Sequence, residues 1–202
     1  MTTPTAKNYL SAQIQRGNAD LWVNFAKPAI GTPDLVLDVA SGTPDATANP
    51  NAIHLGLLDS ASMLVYTPKP DSEKVDQDTG VVAVFDADEE VVIEATLKQT
   101  ALNAVLAHCM PGLTFSDGTK EGITLGRGSN IVRTPVPMCL IGPSADPAFK
   151  WVVALLYAAV PVGPVTVEIA KNKTAMYKAK FQGISDLTRS SGDRIGSIYK
   201  TN

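Results

Sequence analysis

Few residues in this chain have the types and spacing that a catalytic or metal site requires. The two histidines, His54 and His108, are not spaced from each other or from Cys109 and Cys139 as zinc ligands would be. The segment Asp76–Gly80 resembles part of a calcium-binding loop but lacks the third ligand position and the closing glutamate. No complete nucleophile motif, phosphate-binding loop or dinucleotide fingerprint occurs. We therefore expect no enzymatic activity, no cofactor and no metal ion.

Charged residues are instead segregated along the chain. Between Lys69 and Glu90 eight acidic residues accompany two lysines, whereas between Lys171 and Lys200 seven basic residues accompany two acids. Two opposite patches on one subunit favour head-to-tail contact between copies, the geometry that produces rings and filaments. The candidate contact residues are Asp71, Glu73, Asp76, Asp78, Lys171, Lys173, Arg189 and Arg194.

The composition of the 202-residue chain fits one β-rich domain whose surface is partly covered by partners. Hydrophobic residues make up 45%, enough for a core, and charged residues only 18%, below the usual ~25%. A net charge of −3 disfavours tight nucleic-acid binding, because phosphate neutralisation needs a basic patch. Residues 1–18 lack the apolar core of a signal peptide, and the longest apolar run, Trp151–Val160, is half a membrane span. We expect a soluble protein made in a cytoplasm, with no membrane partner.

Most of the elements predicted to position the charged candidate residues are β-strands. Residues 1–18 have no persistent period and are predicted to form an extended arm before a single β domain at 19–202. Thr67–Gly80, polar and with two prolines, is predicted to be a long loop. Val81–Phe85 and Glu90–Lys98 are predicted to form a hairpin with acidic residues at its turn.

The second half of the chain contains the most apolar strand pattern. Phe149–Val160 is predicted to be a central strand, and Val165–Ala170 with Ala175–Phe181 a second hairpin. One helix is predicted at about Thr100–Cys109, where apolar residues recur at helical spacing and Pro111 follows. The predicted fold is mostly β, a sandwich or partial barrel of two packed antiparallel sheets with one flanking helix near residues 100–109 and a long loop near 67–80.

Short segments along nearly the whole chain are similar, in order, to those of one protein family. They are Gly17–Val23, Asn49–Gly56 (NPNAIHLG), Leu64–Pro68 followed by Asp76 and Gln77, Glu94–Asn103, Met138–Pro143, Val160–Val165, Phe181–Asp186 and Gly192–Gly196. In this order the chain resembles the major tail tube proteins of tailed bacteriophages. The resemblance implies two packed sheets with a helix on the flank, and subunits that form sixfold rings.

The same resemblance implies a structural role in the virion. Stacked rings would form the tail tube, assembled in the host cytoplasm, which encloses the tape-measure protein and conducts DNA during ejection. Partners would be other copies of the chain, the tape-measure protein, and the tail terminator and distal tail proteins. A channel that DNA passes without sticking should be neutral or acidic, and its strand candidates are Glu94, Thr96 and Glu168.

Two other functions are compatible with the sequence. A tube protein of a related contractile machine, such as type VI secretion, a tailocin or a gene-transfer particle, would have the same features. A β-sandwich ligand-binding module is the alternative from a different class. It should carry aromatic residues on an exposed face, yet only 6% of this chain is aromatic.

Overall fold

Ten β-strands make up the regular structure of the described residues in a computed structural model of the chain. The structure describes residues 19–30, 32, 34–38, 40–58, 62–74, 81–98, 113–125, 134–169, 171 and 175–202. The strands are β1 (Asp20–Val23), β2 (Ile53–Leu57), β3 (Met63–Lys74), β4 (Val81–Leu97), β5 (Leu113–Ser116), β6 (Glu121–Thr124), β7 (Val136–Pro143), β8 (Trp151–Glu168), β9 (Met176–Gly183) and β10 (Gly196–Thr201). The chain is thus mostly β where it is described, as the sequence predicted.

Eight strands form one antiparallel sheet in the order β2-β1-β7-β8-β9-β4-β3, with β10 also paired to β8. Two strands follow one another along the same side of β8: β10 pairs with its first half and β9 with its second half. β5 and β6 form a separate hairpin. An isolated antiparallel bridge between Leu58 and Leu97 joins the chain just after β2 to the end of β4. This bridge brings the end of β4 beside the chain that follows the edge strand β2.

The larger core cluster occupies one face of this sheet. It draws alternate residues from β1, β2, β4, β7, β8 and β9, as the two-residue period of a strand requires. Its fully buried large side chains are Leu21, Val23, Leu55, Ile93, Leu97, Met138, Leu156 and Phe181.

A second core cluster lies on the opposite face of β7 and β8. Cys139 and Leu155 belong to it, whereas their neighbours Met138 and Leu156 belong to the first. Phe25 and Leu35, from the segment between β1 and β2, pack against it. β7 and β8 are therefore buried on both faces, which explains why their sequences are almost continuously apolar. The prediction of a central strand near 149–160 is confirmed.

The long loop predicted at 67–80 is wrong over its first eight residues. Thr67–Lys74 continue β3, in register with β4 from Thr67 opposite Glu90 to Lys74 opposite Val81. β3 is the last strand of the sheet order, so Pro68 and Pro70 lie where one side of the strand has no ladder to complete. Residues 75–80 lie outside the described residues.

The hairpin predicted at 81–98 is also wrong, because Val81–Leu97 is a single strand of 17 residues. Its acidic residues do not interrupt it, since pairing with β3 runs through them with two register shifts. The second predicted hairpin is confirmed by the pairing of Thr166–Glu168 with Met176–Lys178. The predicted helix at 100–109 and the N-terminal arm at 1–18 lie outside the described residues. The part of the chain that is described contains no helix long and apolar enough to cross a membrane.

Candidate functional site

The three channel candidates, Glu94, Thr96 and Glu168, lie on one face of the sheet. On β4, Glu94 and Thr96 are two residues apart and stand opposite Lys180 and Lys178 of β9. On β8, Thr166 also stands opposite Lys178, and Glu168 follows two residues later. Since alternate residues of a strand share a face, the register brings all three candidates together. This face is opposite the larger core cluster.

Each strand lysine on this face is paired with a carboxylate. Lys178 Nζ donates to Glu168 Oε1 and Lys180 Nζ to Glu94 Oε1. Further along β3 and β4, Lys69 Nζ lies 3.7 Å from Glu90 Oε2. The three lysine side chains are 50–54% exposed, so a partner molecule can reach them. We call Lys69, Glu90, Glu94, Thr96, Glu168, Lys178 and Lys180 the ion-paired face.

The pairing makes this face electrically weak towards an anion. In water an ammonium attracts a phosphate charge about 4 Å away by about 1 kcal/mol, and a carboxylate about 3 Å behind it opposes this with roughly 0.6 kcal/mol. Less than half of the attraction remains. Glu94, Thr96, Lys178 and Lys180 also line a depression of about 350 Å³ together with Met63 of β3.

The acidic contact candidates belong to a two-stranded extension of the sheet. Pairing of β4 with β9 begins only at Val92, so residues 81–90 of β4 pair with residues 67–74 of β3 and with no other described strand. We call these two segments the acidic ribbon, because six of the eight acids between residues 69 and 90 fall in them. Asp71 and Glu73 stand opposite Phe85 and Ala83. Asp76 and Asp78 lie outside the described residues.

The described basic contact candidates differ in exposure. Lys171 is exposed in the turn between β8 and β9, and Lys173 lies outside the described residues. Arg194 is exposed, and its Nε donates to the carbonyl oxygen of Arg189 at 3.3 Å. Arg189 itself is buried, with a side chain only 3% exposed.

Burial removes Arg189 from the set of intersubunit candidates. Its guanidinium donates to the carbonyl oxygens of Pro28 (2.8 Å) and Ala29 (3.4 Å), and to Asp193 Oδ2 (2.9 Å). The guanidinium carbon also lies 3.7 Å from the centre of the Tyr157 ring, whose hydroxyl donates to Asp193 Oδ1 at 2.8 Å. The sequence could not indicate this burial, because Pro28, Ala29 and Tyr157 are distant from Arg189 along the chain. Arg189 fastens the β1–β2 connection to the sheet.

The residue types that could do chemistry have structural contacts. His54 stacks on Trp22 with ring centres 4.6 Å apart, and its Nε2 lies 3.3 Å from Asp20 Oδ1. Burial raises the pKa of the Cys139 thiol well above its ordinary value, which keeps the thiol protonated. Within the described ranges, no three histidine, cysteine, aspartate or glutamate side chains form a group suited to a metal ion.

A groove of about 270 Å³ lies between the base of the acidic ribbon and β10. Its floor includes Leu155 and Leu156 of β8, and two exposed side chains, Tyr66 and Ile198, stand at its sides. The remaining lining residues are Leu64, Glu89, Val91, Gly192, Arg194, Ile195, Gly196 and Ser197.

Sequence reasoning missed Lys178 and Lys180, although a usable signal was present. In the segment MYKAKF the two lysines are two residues apart, which already places them on one face of a strand. Their partners could not be found, because the register between β9, β4 and β8 joins residues up to 86 positions apart. No protein-family model matches this chain, and no curated protein matches it either.

Proposed function

We propose that this protein is a structural subunit that assembles with copies of itself into sixfold rings, which stack into a tube. The tube is of the bacteriophage tail type: it encloses a tape-measure protein, ends at tail terminator and distal tail proteins, and conducts DNA. In this proposal the sheet acts as two packed layers, with a helix at about 100–109 on its flank. A tube protein of a related contractile machine would use the same subunit design.

The acidic ribbon is the observation that carries the proposal. A two-stranded ribbon has little stability of its own in water, and neither segment of the acidic ribbon pairs with a third described strand. The ribbon and its connecting segment also carry eight acidic residues against two lysines, a net negative charge of six. A basic surface of another subunit would relieve both problems, and Lys171, Lys173 and Arg194 are the candidates for it.

The ion-paired face, which meets the acidic ribbon at Lys69 and Glu90, also supports the proposal. A sheet face that is polar, partly exposed and free of net charge suits the wall of a channel. In this proposal Glu94, Thr96 and Glu168 line the lumen, together with the two lysines that the register adds. DNA would slide past without specific contacts.

Assembly and its dependence on salt test the proposal. Negative-stain microscopy of the purified protein should reveal rings or tubes about 100 Å across, as expected for six subunits of this size. Stacking should weaken as salt rises, because the Debye length falls from ~10 Å at 0.1 M to ~3 Å at 1 M. Sedimentation at low and high salt measures this effect directly.

A charge reversal in the ribbon connection identifies the contact. Asp76→Lys with Asp78→Lys should block stacking while the subunit stays folded, whereas Asp34→Lys with Asp146→Lys, an equal charge change elsewhere, should not. Tubes from the first variant at both salt concentrations would contradict the ribbon as the joint. Uniform monomers of the unaltered protein would contradict assembly altogether and would favour the ligand-binding alternative, whose site would be the groove lined by Tyr66 and Ile198.

A further inference from the structure

We infer that the ion-paired face is a charge-compensated surface, on which Glu168 and Glu94 hold Lys178 and Lys180 so that double-stranded DNA passes without binding. Removing both carboxylates should convert the face into a DNA-binding surface. The inference rests on the proposed function, in which this face lines the channel, and adds the residues that control its interaction with DNA.

The geometry provides paired lysines that are reachable but occupied. Lys178 and Lys180 are two positions apart on β9, a separation of about 7 Å along the strand. Both are about half exposed, and each ammonium contacts a carboxylate on a different neighbouring strand. The pairing therefore connects β9 to β8 on one side and to β4 on the other.

The spacing of charge on DNA makes such compensation necessary. Duplex DNA carries one phosphate charge per about 1.7 Å of its axis, so a duplex that touches this face presents phosphates to these lysines at every axial position. An uncompensated lysine pair would release counterions on contact and bind. Repeated on every subunit of a tube, that binding would retard the movement of DNA.

The same relation gives the size of the expected effect. Each neutralised phosphate contributes about −0.9 to the slope of log affinity against log salt concentration. Freeing two lysines should therefore steepen this slope by about 1.8. When salt rises from about 50 to 200 mM, the affinity of the variant for DNA should fall about twelvefold more than that of the unaltered protein.

The test uses Glu94→Gln with Glu168→Gln, which keeps side-chain shape and removes two charges. Binding to a short fluorescent duplex is measured by anisotropy at both salt concentrations. The matched control is Asp34→Asn with Asp117→Asn, two exposed carboxylates away from this face that form no ion pair with a described lysine, with the same change in net charge. We expect gained, salt-sensitive binding only in the first variant. Equal gains in both variants, or no gain in either, would overturn the inference.

Two further variants complete the test. Adding Lys178→Gln and Lys180→Gln to the first variant should abolish the gained binding, and binding that persists would overturn the inference. If the double variant does not fold, the single variants Glu94→Gln and Glu168→Gln are measured instead, and each should steepen the slope of log affinity against log salt by about 0.9. If neither single variant steepens this slope, the inference is overturned. Sedimentation of the same samples reports assembly separately. Absence of tubes with gained DNA binding would therefore contradict the proposed function and leave the compensated face intact.

Discussion

Replacing Arg189 with alanine should strongly destabilise the subunit. The side chain is 3% exposed, pairs with Asp193 and donates to the carbonyl oxygens of Pro28 and Ala29. Breaking a buried ion pair from one side typically costs 3–5 kcal/mol, because the remaining partner is left unpaired. Asp193 is 27% exposed and keeps its hydrogen bond from Tyr157, so the cost should lie near the lower limit, at about 3 kcal/mol. For a domain of this size that corresponds to a melting temperature lowered by about 6–12 °C.

Thermal and urea unfolding at neutral pH measure this cost. The control is Arg194→Ala, which removes the same charge from an exposed side chain with a single hydrogen bond to a backbone oxygen. Its effect should stay within about 0.5 kcal/mol. If the two variants unfold at the same temperature, Arg189 does not fasten the β1–β2 connection, and its place among the surface contacts would have to be restored.

Two more substitutions test packing and protonation. Gly42→Ala should lower the free energy of unfolding in urea by about 1–3 kcal/mol more than Gly118→Ala. Both glycines have a positive φ, but only at Gly42 would an added Cβ meet a side chain, 2.5 Å from the Trp151 ring. Equal losses in the two variants would contradict this packing. Hydrogen bonds led by that from the Thr188 hydroxyl lower the pKa of Asp186 to about 2, so its contribution is present above about pH 4 and is lost as pH falls towards 2. Asp186→Asn should therefore be less stable than the parent at pH 7, and a difference that persists unchanged at pH 2 would refute this linkage.

Alternation and apolar runs made the central part of the fold predictable. The apolar run ending at Val160 predicts a buried strand, and β8 is that strand. The sequence did not reveal that β8 continues to Glu168, because Pro161 and Pro164 are ordinarily signs of a strand end. The structure accommodates them around Gly163, whose φ is 72°, where the pairing with β9 shifts register between Val162 and Thr166.

The acidic segment was misread for a related reason. Proline, aspartate and glycine are depleted in strands on average, and an average cannot distinguish a central strand from an edge. Among the described strands, β3 pairs with β4 alone, so its prolines interrupt no second ladder there. β4 pairs with β9 only from Val92 onward, so its residues before Val92 lie outside the central part of the sheet and can be charged. Edge position depends on the topology of the whole sheet, which short-range patterns do not contain.

The candidate surface residues differ in how far the sequence could place them. Glu94, Thr96 and Glu168 are predicted as acidic or neutral strand residues, and the structure brings all three to one face of the sheet. Arg189 was selected by charge alone, which does not report burial. Lys178 and Lys180 were overlooked as members of the same face, because cross-strand register is a tertiary property.

The two long strands connect the core of the subunit to its candidate surfaces. β8 is buried on both faces from Val153 to Ala159, and its second half turns one polar side to the ion-paired face. β4 contributes Val91, Ile93, Ala95 and Leu97 to the core, and its first half forms the acidic ribbon. Each strand is one continuous backbone, so the core connects the base of the ribbon to the ion-paired face. In the proposed tube, these two surfaces would serve as the stacking surface and the channel surface of each identical subunit.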